Sequence, residues 1–321
     1  MKKNILICGA SGFIGKNLIL YFTKQKKYNL IATYHKKKTK LNLKRIKWIK
    51  TDLRKLDQCI KVTKNIDIVL QCAATTSGSR DIIQSPYLHV TDNAVMNSYL
   101  LRACFINKIK HFIFTSCTVM YKNSNKTLTE RQVDESKIYK SYYGVGHTKL
   151  YIEKMCNFFS RISDIKFTII RHSNIYGPFD KFDEKKGHFI GSSIYKIFNE
   201  RGKKIKIIGK GNEMRDYLYV DDLLAFIELA IKKQKENFQI FNCTYGKSFK
   251  IKEILDKILK ISGSNKKIGN IYSKKNINVN ILVNSKKAKK VLGWTPKTSI
   301  HKGIELTINW FKKNTLNEIF L

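Results

Sequence analysis

The stretch ILICGASGFIGKNLI, residues 5–19, decides how the chain folds. Apolar residues run up to Gly9, glycines recur at 12 and 15, and a helix-like pattern follows. The apolar run reads as a buried strand. Glycine has no Cβ, so the backbone can turn tightly and approach a pyrophosphate. The following helix presents unpaired N–H groups and the positive end of its dipole. Strand, glycine turn and helix in that order are the context in which this motif signals a dinucleotide site. Gly9, Ser11, Gly12, Phe13, Ile14 and Gly15 are the candidate contacts. A tight turn without a ligand is the competing reading.

The same alternation continues downstream. NLIATY (29–34), IDIVLQCAA (66–74), HFIFTSC (111–117) and FTIIRHS (167–173) read as strands, with helix-like segments at 16–25 and 93–107 between them. Continuous apolar strands separated by helices imply a parallel sheet covered on both faces. The expected fold is α/β: a Rossmann-type doubly wound parallel sheet over 1–171, binding NAD(P). A smaller mixed α/β substrate-binding region is expected over 172–321, with segments near 212–245 returning to the first. The three prolines, at 86, 178 and 296, mark no linker.

The second strand ends in Tyr34, His35, Lys36, Lys37 and Lys38, where an NAD enzyme places a carboxylate on the ribose. Lysines attract a 2′-phosphate, which favours NADP over NAD. Asp52 and Leu53 fall where a third strand ends, near an adenine edge.

Composition bounds the rest. With 321 residues and 43% hydrophobic content, a packed core is expected. No apolar run approaches the roughly 18 residues of a membrane span. The basic-then-apolar start could mimic a secretion signal, but its apolar run is short and glycine interrupts it. Seven scattered cysteines, an odd number with no C-x-x-C pair, fit reduced thiols in a cytoplasm rather than disulfides or a metal site. The formal net charge is +38. Its lysines are spread through every segment and form no arginine-rich arm, so lysine-biased composition is preferred to a nucleic-acid partner. The charge could still steer an anionic substrate.

Taken together, further stretches resemble the extended short-chain dehydrogenase/reductases, specifically the NAD(P)-dependent nucleotide-sugar epimerase/dehydratase group. The residues that carry the likeness beyond the glycine turn are DIVLQCAA (67–74), DNAVMNSYLLRAC (92–104), FIFTSCTVMY (112–121), RHSNIYGPFD (171–180), GKGNEMRDYLYVDDL (209–223) and AKKVLGWTP (288–296). The resemblance implies cofactor contacts at Cys72, Ala73, Ala74, Asn93, Ser116, Lys149 and His172. It implies substrate contacts at Thr75, Thr76, Asn174, His188 and Arg215, and a homodimer paired through its two long helices. Within the group the chain is similar to GDP-fucose synthase-like epimerase/reductases, whose catalytic histidine corresponds to His188. Their cysteine acid/base falls at Val119 here. The segment 273–288 lacks the arginine that usually clamps the diphosphate.

Two departures concern the chemistry. The position of the family's catalytic Ser or Thr holds Cys117; Thr118, after a small shift, or the thiol itself could take its role. The family's tyrosine sits four residues before its lysine, and YYGVGHTK (142–149) has Val145 there. The phenol and the ammonium must cooperate, because the charge lowers the phenol's pKa. Six residues apart on a regular helix, Tyr143 and Lys149 point about 120° apart. Gly144 and Gly146 suggest that the regular helix starts only near Gly146 or His147, so that Tyr143 folds back from a flexible turn. Tyr142, His147 and a site without an acid/base are the alternatives.

The functional expectation is an NAD(P)-dependent epimerase that works on a nucleotide-sugar through a keto-sugar. Tyr143 and Lys149 would exchange the proton, with Thr118 orienting the substrate oxygen. Rivals are an NADPH-dependent 4-keto reductase and a non-catalytic NAD(P)-binding regulatory protein.

Overall fold

The computed structural model describes residues 2–39, 41, 43, 45–75, 86–184, 187–271 and 279–316. The chain opens with β1 (Lys3–Cys8), α1 (Phe13–Thr23), β2 (Tyr28–Tyr34) and β3 (Ile46–Lys50). There follow α2 (Leu56–Thr63), β4 (Ile68–Gln71), α3 (Pro86–Ile106), β5 (His111–Cys117) and β6 (Ser124–Leu128). Next come α4 (Tyr143–Arg161), β7 (Lys166–His172), β8 (Asn174–Tyr176), α5 (Phe189–Asn199), β9 (Lys204–Ile208) and β10 (Met214–Tyr219). The remainder is α6 (Val220–Lys233), β11 (Phe238–Cys243), β12 (Ser248–Lys250), α7 (Ile251–Ser262), β13 (Lys267–Ile271), β14 (Ile281–Val283), α8 (Lys286–Leu292) and α9 (Ile300–Phe311).

Seven strands form one sheet in the order β11-β7-β5-β4-β1-β2-β3, with every neighbouring pair parallel. This is the expected Rossmann-type sheet. Strands are added outward from β1 on one side and from β4 on the other. The glycine turn therefore opens at the carboxyl end of β1, at the point where strand order reverses, and ligands bind α/β sheets at such points.

Parallel strands buried on both faces need apolar side chains at every position. In β1, Ile5 and Ile7 enter the core under α1 and α6, with Leu18, Phe22, Leu223 and Phe226. Leu6 and Cys8 enter the opposite core under α2, α3 and α4, with Leu100, Cys104, Ile152 and Cys156. Each fully buried Ile or Phe contributes about 1.5–3 kcal/mol. The chain after β7 supplies the edge strand β11 and, together with β6, three smaller sheets: β12-β10-β8, β13-β9 and β14-β6. The C-terminal GWTP stretch is bound to α6. The Trp294 indole donates to the Asp222 carbonyl at 2.9 Å, and the Asp222 carboxylate accepts from the Lys297 and Thr298 amides.

At the base of β5, His111 is buried beside Thr168, its Nε2 2.8 Å from the hydroxyl oxygen. Burial pushes its pKa from 6.5 down to about 4, and the Lys166 and Lys3 charges act in the same direction. Below pH 6.5 the unfolded chain binds a proton here that the folded chain refuses until about pH 4. The stability contributed is complete above pH 6.5 and is lost as the pH falls toward 4, on the order of 3 kcal/mol. Urea unfolding should show a midpoint that falls between pH 7 and pH 5, and a shallower fall in His111→Gln. Equal falls in the two proteins would show that His111 titrates normally when folded.

Candidate active site

The glycine turn is built by close approach. Gly9 has φ +73, and a Cβ on it would lie 2.7 Å from the Ala73 backbone. A Cβ on Gly15 would lie 2.3 Å from the Gly9 carbonyl oxygen. The turn closes through Gly12 N–H to the Gly9 carbonyl at 3.0 Å, and the Gly9 amide donates to Thr33 Oγ1 at 3.2 Å. Ser11, Phe13 and Ile14 complete the loop and the first turn of α1. The cradle that side chains would fill is left open to a pyrophosphate, so these residues fit a dinucleotide. Asn17 of α1 donates to the Pro178 carbonyl at 2.8 Å, which joins this turn to the 171–180 stretch.

At the ends of β2 and β3, Tyr34 is half-buried while His35 and Lys36 are exposed. Asp52 is the carboxylate of this corner. Arg54 grips it with two 3.0 Å bonds, and His35 lies 3.6 Å away. Chiefly through the bond from Arg54, its pKa falls to about 2. Arg54 also reaches Asp92 at 3.3 Å, a link the sequence reading missed. Leu53 is buried. Past β4, Cys72 and Ala73 are half-buried and Ala74 is exposed. Asn93 clamps Thr75 by accepting from its amide at 2.9 Å and donating to its carbonyl at 3.1 Å. Thr76 lies outside the described residues.

Lys149 projects from α4 and donates to the Thr115 carbonyl at 2.9 Å, over the Phe114 ring. Burial lowers its pKa, while Cys117, Glu153 and Cys72 oppose that shift. Cys117, at the end of β5, is half-exposed; burial raises its pKa and the Lys149 charge lowers it. Burial also pushes Cys72 up to about 12. Thr118 follows, its amide bonded to the His172 carbonyl at 3.2 Å. Ser116 is unavailable as a hydroxyl: it is fully buried and donates to Glu153 at 2.6 Å. His172 Nδ1 donates to the Ser173 carbonyl at 2.8 Å. Burial lowers its pKa to about 4, and the Lys149 and His188 charges act in the same direction.

The start of α4 differs from the expectation. The helix is regular from Tyr143, with a 3-10 turn at Lys140–Tyr142 leading into it. Tyr143 does not fold back. It is 65% exposed, with its ring 4.3 Å from that of His147. The glycines serve packing rather than bending. A Cβ on Gly144 would meet Val90 at 3.0 Å, and one on Gly146 would meet Ile138 at 3.0 Å. Val145 lies one turn before Lys149 on the same face, and Tyr142, seven residues before Lys149, lies near that face two turns away. The Tyr142 phenol hydrogen-bonds Arg215 and lies near Cys117; burial is the largest influence on it and raises its pKa. Arg215 also donates to the Val279 carbonyl at 2.6 Å. Beside them the buried Tyr217 hydroxyl has no hydrogen-bond partner among the described residues.

His188 caps the start of α5, with Nδ1 3.1 Å from the buried carboxylate of Asp180. Asp180 was not singled out from sequence. Its signal was an acid eight residues before the histidine in the charged loop, and only the fold brings the two together. Asn174 donates to the Asp216 carbonyl at 2.8 Å.

Under the site lies a buried ion pair. The Arg171 guanidinium meets Glu153 at 2.6 Å and also donates to the Tyr121 hydroxyl at 3.0 Å and the Glu130 carbonyl at 2.9 Å. Glu153→Gln leaves that guanidinium without its counter-charge. The unfolding free energy in a denaturant titration should drop by about 3–5 kcal/mol. A loss under about 1 kcal/mol would show that the pair is not the anchor described.

A model of the NAD dependent epimerase/dehydratase family matches residues 5–244. GDP-L-colitose synthase of Yersinia pseudotuberculosis is 28% identical over 320 residues, spanning 98% of this chain and 99% of that protein. GDP-mannose 3,5-epimerase 1 of Oryza sativa subsp. japonica is 24% identical, over 99% of this chain and 84% of that one. Among solved structures, UDP-glucuronic acid 4-epimerase from Bacillus cereus, with UDP-glucuronic acid and NAD, superposes with a TM-score of 0.84 at 26% identity. That match covers 97% of this chain and 99% of that one. UDP-glucose 4-epimerase from Thermotoga maritima, with UDP-glucose, gives a TM-score of 0.84 at 25% identity, over 97% and 99% of the two chains.

Proposed function

The chain belongs to the NAD dependent epimerase/dehydratase family, and from that premise we propose that it is an NAD(P)-dependent epimerase acting on a nucleotide-sugar through a keto-sugar intermediate. The observation that supports the choice of epimerase is the His188–Asp180 pair, a histidine 3.1 Å from a buried carboxylate. A simple reductase has no need of a second, oriented proton carrier.

The nicotinamide, when bound, supplies reversible hydride acceptance. The glycine turn holds the pyrophosphate, and Asn93 fixes the loop beside it. Lys149, anchored on the Thr115 carbonyl, keeps a positive charge next to the reacting oxygen. No phenol stands one turn before it, so the Cys117 thiol takes the proton role expected of Tyr143. At the reacting oxygen Cys117 would exchange the hydroxyl proton, the Lys149 charge opposing the rise that burial gives the thiol, and Thr118 would orient the oxygen. The carbonyl so formed acidifies its neighbouring C–H. That proton would be lost to solvent on one face, and His188, held by Asp180, would return a proton on the other, which inverts the carbon. Arg215, braced by Tyr142, binds the diphosphate.

With a responsive GDP- or UDP-sugar, found by thermal-shift screening, Cys117→Ala should lower kcat/KM by about a hundredfold or more. Tyr143→Phe should leave it unchanged. Full activity in Cys117→Ala, or its loss in Tyr143→Phe, would return the proton role to the tyrosine.

We also infer a preference for NADP. At the ends of β2 and β3, the carboxylate of Asp52 is engaged by Arg54 and His35, and the exposed Lys36 is there to meet a 2′-phosphate. The same cations favour the second reading, a 4-keto reductase. Calorimetric titration should give tighter binding of NADPH than of NADH, with the difference shrinking in Lys36→Glu. Equal affinities would remove the inference. Net loss of NADPH absorbance during turnover would select the reductase; an epimerase leaves the absorbance unchanged.

A further inference from the structure

We propose a second ligand site, for an amphipathic organic anion, in the cavity under the amino-terminal ends of β4, β5 and β7. The cavity has a volume of about 780 Å³, within the range of small-molecule pockets. It lies at the end of the sheet opposite the glycine turn. The run of β5 from His111 to Cys117 separates the two by about 20 Å.

Three features define the ligand. The first is an apolar wall. Phe105 and Ile106, at the end of α3, and Ile162, just after α4, line the cavity and remain 38%, 47% and 48% exposed. A hydrophobic ligand body would remove that surface from water.

The second is charge. The lining carries four lysines against two aspartates. Lys110 pairs with Asp67 at 3.1 Å, whereas Lys3, Lys108 and Lys166 make no ion pair among the described residues. The excess is positive, so the ligand's head group is an anion.

The third is a fixed acceptor at the floor. Gln234 Nε2 donates to the carbonyls of Phe167 at 3.0 Å and Glu236 at 2.9 Å, which sets the orientation of the amide. The Thr168 hydroxyl gives its one proton to the Gln234 oxygen. The Thr168 oxygen can then only accept from His111, so His111 Nε2 carries the ring proton. Nδ1 is left as the ring's lone-pair acceptor. Because His111 stays neutral above about pH 4, that lone pair is present at physiological pH. A ligand with an N–H or O–H donor, an aromatic or aliphatic body and an anionic group satisfies all three features.

Anilinonaphthalene sulfonate has each of these groups and reports its own binding by fluorescence. The folded full-length protein, saturated with NADPH, should bind one equivalent. Lys166→Glu and Ile162→Glu should each weaken binding by about tenfold or more. Each variant is first checked for unchanged NADPH affinity, which shows that it is folded. Ile231→Trp, which fills the cavity without changing charge, should also weaken the probe. The proposal fails if NADPH displaces the probe, or if its affinity is the same in the parent and in the folded variants. The assay involves no turnover, so its result is independent of the epimerase reading.

Discussion

The Glu153–Arg171 ion pair fixes what the rest of the site can be. Two charges removed from water cost several kcal/mol each, and only a closed, well-bonded geometry offsets that. Here the carboxylate receives Arg171 from β7 and Ser116 from β5. Helix α4 is therefore locked in rotation against two central strands. One turn earlier, Lys149 is directed to the Thr115 carbonyl on the same strand. A rotation of one residue, about 100°, would break both attachments. The next residue on that face is consequently Val145. Tyr143 is held outside the site by a constraint ten residues away, and no local flexibility at the glycines can override it.

The cofactor side rests on a steric constraint of a different kind. Gly9 and Gly15 have no room for a Cβ, because the turn presses on Ala73 and on its own carbonyl. The same contacts bring β4 against the turn at the point where strand order reverses. Asn93 then extends the attachment to the loop after β4. Two short sequence motifs, far apart in the chain, become one surface because small residues let backbones touch.

These constraints explain what could be read from sequence and what could not. The strands were legible because burial on both faces leaves continuous apolar runs such as IDIVLQCAA. The glycine turn was legible because its spacing is a local requirement of the backbone. Gly144 and Gly146 misled, because a glycine demanded by close packing looks the same in sequence as one demanded by a bend. Only the positions of Val90 and Ile138 distinguish the two. Ser116 had the right hydroxyl, but the carboxylate that engages it lies 37 residues along the chain. Asp180 and His188 needed the turn after β8 to bring them together. The cavity under β5 had no sequence signature, since its lining comes from the ends of seven separate elements.

The move from a phenol to a thiol is chemically modest on the proposed reading. A thiol with a reference value of 9.0 and a phenol with one of 10.0 hold a proton with similar strength. Burial raises both, and a neighbouring ammonium draws either one back. The difference is mechanical. A tyrosine at position 145 would reach the substrate from the first turn of a helix, whereas Cys117 stands at the end of a central strand. The strand is paired on both sides, so the thiol depends less on how the helix start packs. On that reading the site keeps the lysine charge, moves the proton carrier to the sheet and leaves the helix start to bind the anion.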